Sequence, residues 1–408
     1  MGRLALNRSN HFYCLFSTVL VLCLAIFGAL PADAADADAT NNDKVEPRLV
    51  SALSKVRSQQ IDSALEDVKV LIKEQPNFKL AQLVYADLLA VKSGQFQGFG
   101  NGKEKPGNRI AKLRHEAKVR WARHAAPPPQ DYLPRELLQL SFEQTSVVAI
   151  DLERARIYLF ANDLDGLRLV RDFYVSSAKN GPGKLVEGDE KSPIGVYVVT
   201  SEIDRKKLSD FYGNGAFPID YPNTWDKLLG KTGYGIWLHG VPSSTYSRVP
   251  KDSEGCIALA NKDLDSLRSY LLPGRTPVII SQRLEWIPRQ EVEAARQTLK
   301  ASLEQWRQDW ESLDYDAYIR HYSPDFRTKN RDYFEWAAYK KRVNSAKSFI
   351  TVELSNVSMF AYPDEQDMAV IDFNQTYRSS NIDGTVRKRQ YWRKGSDDVW
   401  RIIYEGGV

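Results

Sequence analysis

The chain has 408 residues, 43% of them hydrophobic and 26% charged, with 56 Lys and Arg set against 52 Asp and Glu. That length exceeds what one hydrophobic core usually serves, so two or three domains are expected. A net charge of +4 is too mild to mark a nucleic-acid binder.

The first residues have the layout of a secretory signal. Arg3 and Arg8 give a positive start, residues 12–30 carry no charge, and Ala32-Asp33-Ala34 offers small residues where a signal peptidase cuts. Residues 1–34 are therefore read as a signal peptide, with an uncleaved anchor as the alternative, since 19 apolar residues are just long enough to span a bilayer. Either reading sends the rest of the chain out of the cytoplasm, to the periplasm or cell envelope. Cleavage would also remove Cys14 and Cys23 and leave Cys256 as the one thiol. A lone cysteine in an oxidising compartment has no internal partner, so it is either a buried filler or a reactive group.

Residues 35–45 are small and polar and read as a flexible tether. Residues 46–130 form a helical region. Leu65, Val68, Leu71 and Ile72 fall on one stripe, Pro76-Asn77 breaks it, and a second helix runs to Gly94. The pair resembles a single tetratricopeptide-type hairpin with Ala64 and Ala81 as its small packing residues. One such unit cannot bury its face alone, which leaves open an N-terminal cap, a protein partner or a homodimer through these helices. A Gly-rich, charged loop at 95–108 precedes a basic helix, whose charges read as a solvated face. His115 and His124 on that helix are nine residues apart, not a metal-ligand spacing.

From residue 146 the pattern changes to short runs rich in Val, Ile, Tyr and Phe: VVAID, RIYLF, RLVRDFYVSS, GVYVVTSE, GIWLHG and PVIIS. They predict a mostly β domain over 146–281. One short helix interrupts it, with Asn261 or Asp263 placed to cap its start. The last region, 289–408, opens with an amphipathic helix that sets Val292, Ala295, Leu299, Leu303, Trp306 and Trp310 near one face. Four strand-like segments follow, an α+β arrangement.

His239 and Gly240 follow the strand-like run GIWLHG, and Cys256 comes 17 residues after His239 within Ser253-Glu254-Gly255-Cys256-Ile257. A thiol with an ordinary pKa of about 8.5 is mostly protonated at neutral pH, and an adjacent imidazole can take that proton. No carboxylate is obvious as the imidazole's third partner, so a backbone carbonyl could orient it. Gly255 allows close backbone approach, and the N–H groups of Gly255 and Cys256 are candidates for an oxyanion hole. Ser253 could hydrogen-bond the acyl oxygen or shape the turn. Tyr234 and Trp237 could stack on substrate or pack at the rim. One Cys and scattered His cannot fill a tetrahedral metal site, and nothing points to an organic cofactor.

This arrangement resembles the active-site motif of the L,D-transpeptidase family of bacterial cell-wall enzymes. VAIDLERARIYLF and the stretch holding Lys184, Gly188, Asp189, Pro193 and Gly195 resemble further family segments. The resemblance implies a β-rich catalytic domain with Cys256 as nucleophile, His239 as base and the carbonyl of Gly240 orienting that base. It implies peptidoglycan stem peptides as substrates, with transfer of the acyl group to an amine, or its hydrolysis, either as in L,D-carboxypeptidases that act in cell shape or as in enzymes that release linked protein from peptidoglycan. Glu254 stands where many members have histidine, and Ala258 where many have an arginine fork that alanine cannot replace. The segments YSPDF, Trp336 with Lys340, FNQTY and WRIIYE resemble the nuclear-transport-factor-type fold, a cone-shaped α+β domain with a pocket. A binding scaffold with a vestigial catalytic unit is the competing class.

Overall fold

The computed structural model describes residues 44–95 and 108–407. The signal-peptide reading, most of the tether and most of the 95–108 loop lie outside the described residues. The described chain begins with four helices: α1 (Val45–Arg57), α2 (Ile61–Glu74), α3 (Lys79–Lys92) and α4 (Asn108–Ala125). Ala64 and Ala81 are fully buried where α2 and α3 meet, with Val68, Leu71 and Leu80 around them. None of the described helices is long and apolar enough to cross a membrane.

A nine-stranded sheet follows, with the short helix α5 (Thr224–Leu228) among its connections. Its strands are β3 (Ser146–Asp151), β4 (Arg156–Asp163), β5 (Gly166–Ser176), β6 (Gly195–Val198), β7 (Ile203–Asp204), β8 (Gly215–Pro218), β9 (Trp237–His239), β10 (Ile257–Leu259) and β11 (Pro277–Ser281). Their order is β6-β11-β3-β4-β5-β10-β9-β8-β7. Two pairs are parallel, β11 with β3 and β10 with β9; the other pairs are antiparallel.

Two short strands precede this sheet in the chain, β1 (Tyr132–Pro134) and β2 (Leu137–Gln139). They lie between the sequence-predicted regions. β1 pairs with β12 (Trp286–Pro288), and β2 joins the edge of the last sheet beside β14 (Ile350–Ala361). That six-stranded sheet also contains β13 (Tyr322–Arg327), β15 (Met368–Ser379), β16 (Asp383–Lys394) and β17 (Trp400–Gly407). It shares a core with α7 (Arg289–Glu311), whose Val292, Leu299, Leu303, Trp306 and Trp310 are buried. Ala295 does not continue that stripe. It is exposed, while Arg296 beside it reaches Gln139 at 3.3 Å.

The run SVVAID is buried at every position because both faces of β3 and β4 are covered. Val148, Ile150, Ile157 and Leu159 face the core of the nine-stranded sheet. Val147, Ala149, Tyr158 and Phe160 join the core of the C-terminal region. Tyr322 and Trp336 belong to that second core, and His321 pairs with Asp309 at 2.7 Å.

The basic helix α4 is not simply a solvated face. Arg120 is 3% exposed and bonds to Glu116 on its own helix and to Glu46 on α1. Glu46 also accepts from Arg156 on β4, and Arg123 makes a forked pair with Asp172 on β5 at 2.9 and 2.6 Å. These opposite charges offset the cost of burying the arginines and fasten the helices to the sheet. Burial alone would raise the Glu46 carboxyl, but Arg156 and Arg120 outweigh it and hold it at about 2. Its contribution is thus complete above its ordinary value of 4.5 and is lost as pH falls towards 2.

Glu46→Ala leaves two buried guanidinium groups without their shared carboxylate. Urea unfolding at pH 7 should show a loss of about 3 kcal/mol. The difference from wild type should shrink as pH is lowered through 4, and a loss no larger than that of an exposed ion pair would contradict the role assigned to Glu46.

Candidate active site

β9 and β10 run parallel, with Leu238 opposite Ile257 and His239 opposite Ala258. That register brings the end of β9 beside the residue that precedes β10, which is Cys256. Both His239 and Cys256 line one cavity of about 1120 Å³.

His239 is 1% exposed. Its Nδ1 lies 2.6 Å from the carbonyl oxygen of Gly240. A carbonyl only accepts, so Nδ1 carries the proton and Nε2 keeps its lone pair. Burial lowers the imidazole to about 4, and the charge of Arg248 acts in the same direction. The ring is flanked by Tyr212, edge-on at 5.1 Å, and by Phe211, stacked at 6.1 Å.

Cys256 is partly exposed, and its Sγ donates to the carbonyl of Gly235 at 3.3 Å. Burial raises the thiol above its ordinary value. A hydrogen bond from the Trp237 backbone and the charge of Arg248 partly oppose this. At rest, then, the two groups form a neutral thiol and a neutral imidazole.

The backbone around both residues leaves no room for larger side chains. Gly255 has φ +136°, and a Cβ there would lie 2.8 Å from Ile236 Cδ1 and 3.1 Å from the Lys191 carbonyl. At Gly240 a Cβ would lie 2.9 Å from the Asn214 amide and 3.0 Å from the Tyr212 carbonyl, and closer still to Asn261 Oδ1. Asn261 is the first residue of α6 (Asn261–Arg268), yet neither it nor Asp263 caps that helix; the N-cap is Ala260, without a side-chain bond. Instead Asn261 Oδ1 accepts from Asn214 and Val241 N–H at 3.0 and 3.1 Å, and its Nδ2 donates to the Val241 carbonyl at 2.8 Å. It stitches the turn that follows His239.

The other sequence-singled residues divide by role. Ser253 is buried, donates to the Cys256 carbonyl at 2.6 Å and accepts from the Gly255 N–H at 3.3 Å. Its hydroxyl is thereby engaged in the turn, and so is one of the two expected oxyanion donors. Tyr234 is 78% exposed at the cavity mouth, while Trp237 lines the cavity and packs on Tyr212 at 4.9 Å. Lys184 and Asp189 pair at 2.8 Å, and Asp189 also accepts from the N–H groups of Leu185, Val186 and Lys191, so they shape a loop. Glu254 is exposed and faces Lys179 at 3.5 Å; Ala258 is buried in β10.

Reading the sequence missed part of the cavity wall. Lys79, Arg109, Lys112 and Glu116 come from α3 and α4, and Arg248 comes from the loop between His239 and Cys256. Nothing local in the sequence of α4 signals this, since the contact depends on how the helices dock. No group of three or more His, Cys, Asp or Glu able to hold a metal ion occurs among the described residues. A second cavity, of about 700 Å³, opens in the C-terminal region beside Trp310, Lys340 and Tyr377. His321, Tyr322 and Trp336 do not line it.

Residues 145–280 match the L,D-transpeptidase catalytic domain, and residues 298–406 match the Cds6 C-terminal NTF2-like domain. Helices α1–α4 lie outside both matches. Among solved structures, Bd1075 of Bdellovibrio bacteriovorus is 29% identical, with a TM-score of 0.60 over 68% of this chain and 98% of that one. The helical cell shape determining protein Pgp2 of Campylobacter jejuni is 24% identical, with a TM-score of 0.56 over 66% of this chain and 95% of that one, a likeness of fold. No curated protein matches the chain.

Gly240→Ala should displace the turn that orients His239. Acylation of Cys256 by a carbapenem-type probe, followed by intact mass, is expected to slow about 100-fold. An unchanged rate in a folded variant would contradict the packing argument.

Proposed function

We propose that this chain, which carries an L,D-transpeptidase catalytic domain followed by an NTF2-like domain, acts on peptidoglycan stem peptides as a cysteine acyl-transferase outside the cytoplasm. The observation that carries the reading is the shared cavity of Cys256 and His239, with the His239 tautomer set by the Gly240 carbonyl. The neutral Nε2 takes the proton from the Cys256 thiol as the sulfur attacks the carbonyl at the L-centre of the stem's diamino acid. The tetrahedral oxyanion is stabilised by backbone N–H donation, with the Cys256 amide as the candidate group. The imidazolium returns its proton to the leaving amine of the terminal D-residue, and a thioester remains on Cys256.

An amine that takes up the thioester yields a cross-link or an attached residue. Water yields a trimmed stem, and one observation favours it as a second reading. Residues of α3 and α4 line the same cavity as His239 and Cys256, which narrows the space for a second peptide strand.

Two measurements test this. Wild type and Cys256→Ala are incubated with disaccharide-tetrapeptide, with and without a free D-amino acid, and masses are followed. Loss of the terminal residue in wild type alone supports hydrolysis, and an exchanged residue or a dimer mass supports transpeptidation; no change in either protein overturns the reading. Because burial holds the imidazole near 4, the base stays unprotonated well below neutral pH. The acid limb of kcat/KM should therefore lie near pH 4, and a limb near 6.5 would contradict a buried neutral base.

A further inference from the structure

We propose that Arg248 is the carboxylate receptor of the catalytic cleft. Its guanidinium takes the terminal carboxylate of the donor peptide and so fixes which peptide bond lies over Cys256. This deepens the acyl-transfer reading above and rests on it.

Arg248 lies on the loop between His239 and Cys256 and lines the same cavity. It is half-buried, with its guanidinium over the Phe211 ring at 4.1 Å. Phe211 in turn stacks on His239, so cation, ring and imidazole form one wall. A guanidinium has five N–H donors in a fixed fork. Among the described residues its guanidinium makes one hydrogen bond, a long one of 3.5 Å to the Phe211 carbonyl. The acidic residues nearest it in sequence are already paired, Asp252 with Lys112 and Glu254 with Lys179. A partly buried cation on the cavity wall, held by one long hydrogen bond among the described residues, favours a forked carboxylate partner.

The loop is pinned from both sides. Tyr174 Oη donates to the Arg248 carbonyl at 3.0 Å, and Ser176 Oγ donates to the Val249 carbonyl at 2.6 Å. From the helices, Asn77 accepts from the Tyr246 N–H at 3.3 Å, Phe78 packs on Tyr246 at 4.5 Å, and Glu116 accepts from Ser247 Oγ at 2.8 Å. The helical region is thus a positioning element: it holds Arg248 in place before substrate arrives, which lowers the ordering cost of binding. A bound carboxylate would also offset the positive charge that weakens His239, so the base strengthens once substrate is in place.

The test uses full-length Cys256→Ala, which binds without turnover, and measures the affinity of a stem tetrapeptide and of its C-terminal carboxamide by calorimetry. The carboxylate form should bind about 10- to 100-fold more tightly than the amide, the range expected for hydrogen bonds to a charged group. Adding Arg248→Ala should abolish that preference by weakening the carboxylate form alone, while Arg248→Lys should restore part of it, since lysine keeps the charge without the fork. Equal weakening of both forms, or a preference that survives Arg248→Ala in a protein of unchanged melting temperature, would overturn the assignment and leave the acyl-transfer reading standing. Binding of neither form to Cys256→Ala would overturn both.

Discussion

The parallel pairing of β9 with β10 is the constraint on which the site depends. It places His239 opposite Ala258, and Cys256 at the threshold of β10. Parallel neighbours cannot be joined by a tight turn; the chain needs a long crossover, usually helical. Here the crossover is the irregular stretch 240–256, which holds Gly240, Arg248, Ser253 and Gly255. An irregular segment of that length has no internal ladder to fix it, so its shape comes from outside. Asn261 grips its start, Ser253 closes its end, and the N-terminal helices hold its middle.

That dependence gives the helical region a physical role beyond capping. Its docking relies on charges that are costly to bury singly and are tolerated because they are matched. Glu46 serves Arg120 and Arg156 together, while Asp172 serves Arg123 and lies 3.5 Å from Arg156. The same helices then place Lys79, Arg109 and Lys112 along the cavity. Electrostatics inside the cleft follows from burial. Burial drives the imidazole towards its neutral form and the thiol towards its own, while the charge of Arg248 favours a thiolate and an unprotonated base, with Lys184 adding to its effect on the thiol.

Much of this was legible in the sequence, where the signal lay in local pattern. The Val- and Ile-rich runs marked β3, β4 and β11, and the heptad-like spacing of Val292, Leu299, Leu303, Trp306 and Trp310 marked α7. The pairing of His239 with Cys256 across 17 residues pointed to one cleft because no other cysteine remained in the region. What stayed hidden was tertiary in origin. β1 and β2 are three residues each and gain their pairing only from segments about 150 and 220 residues further along. Asn261 carried the composition of a helix cap and is used instead on the turn after His239. The arginines of α4 looked solvated because two of their acidic partners, Glu46 and Asp172, lie on other elements. Arg248 had no pattern to distinguish it from a surface charge until Phe211 and the helices came into contact with its loop.

The most direct test of the central claim, that Cys256 with a carbonyl-oriented His239 forms a thioester with a stem peptide, is rapid-quench intact mass spectrometry. Wild-type protein is mixed with excess tetrapeptide substrate and quenched in acid within milliseconds to seconds. A transient adduct equal to the stem minus its terminal D-residue is expected, mapped to Cys256 and released by hydroxylamine. It should be absent in Cys256→Ala and much slower to form in His239→Ala. An adduct on another residue, or product release from wild type with no acyl-enzyme even in the burst phase, would contradict it.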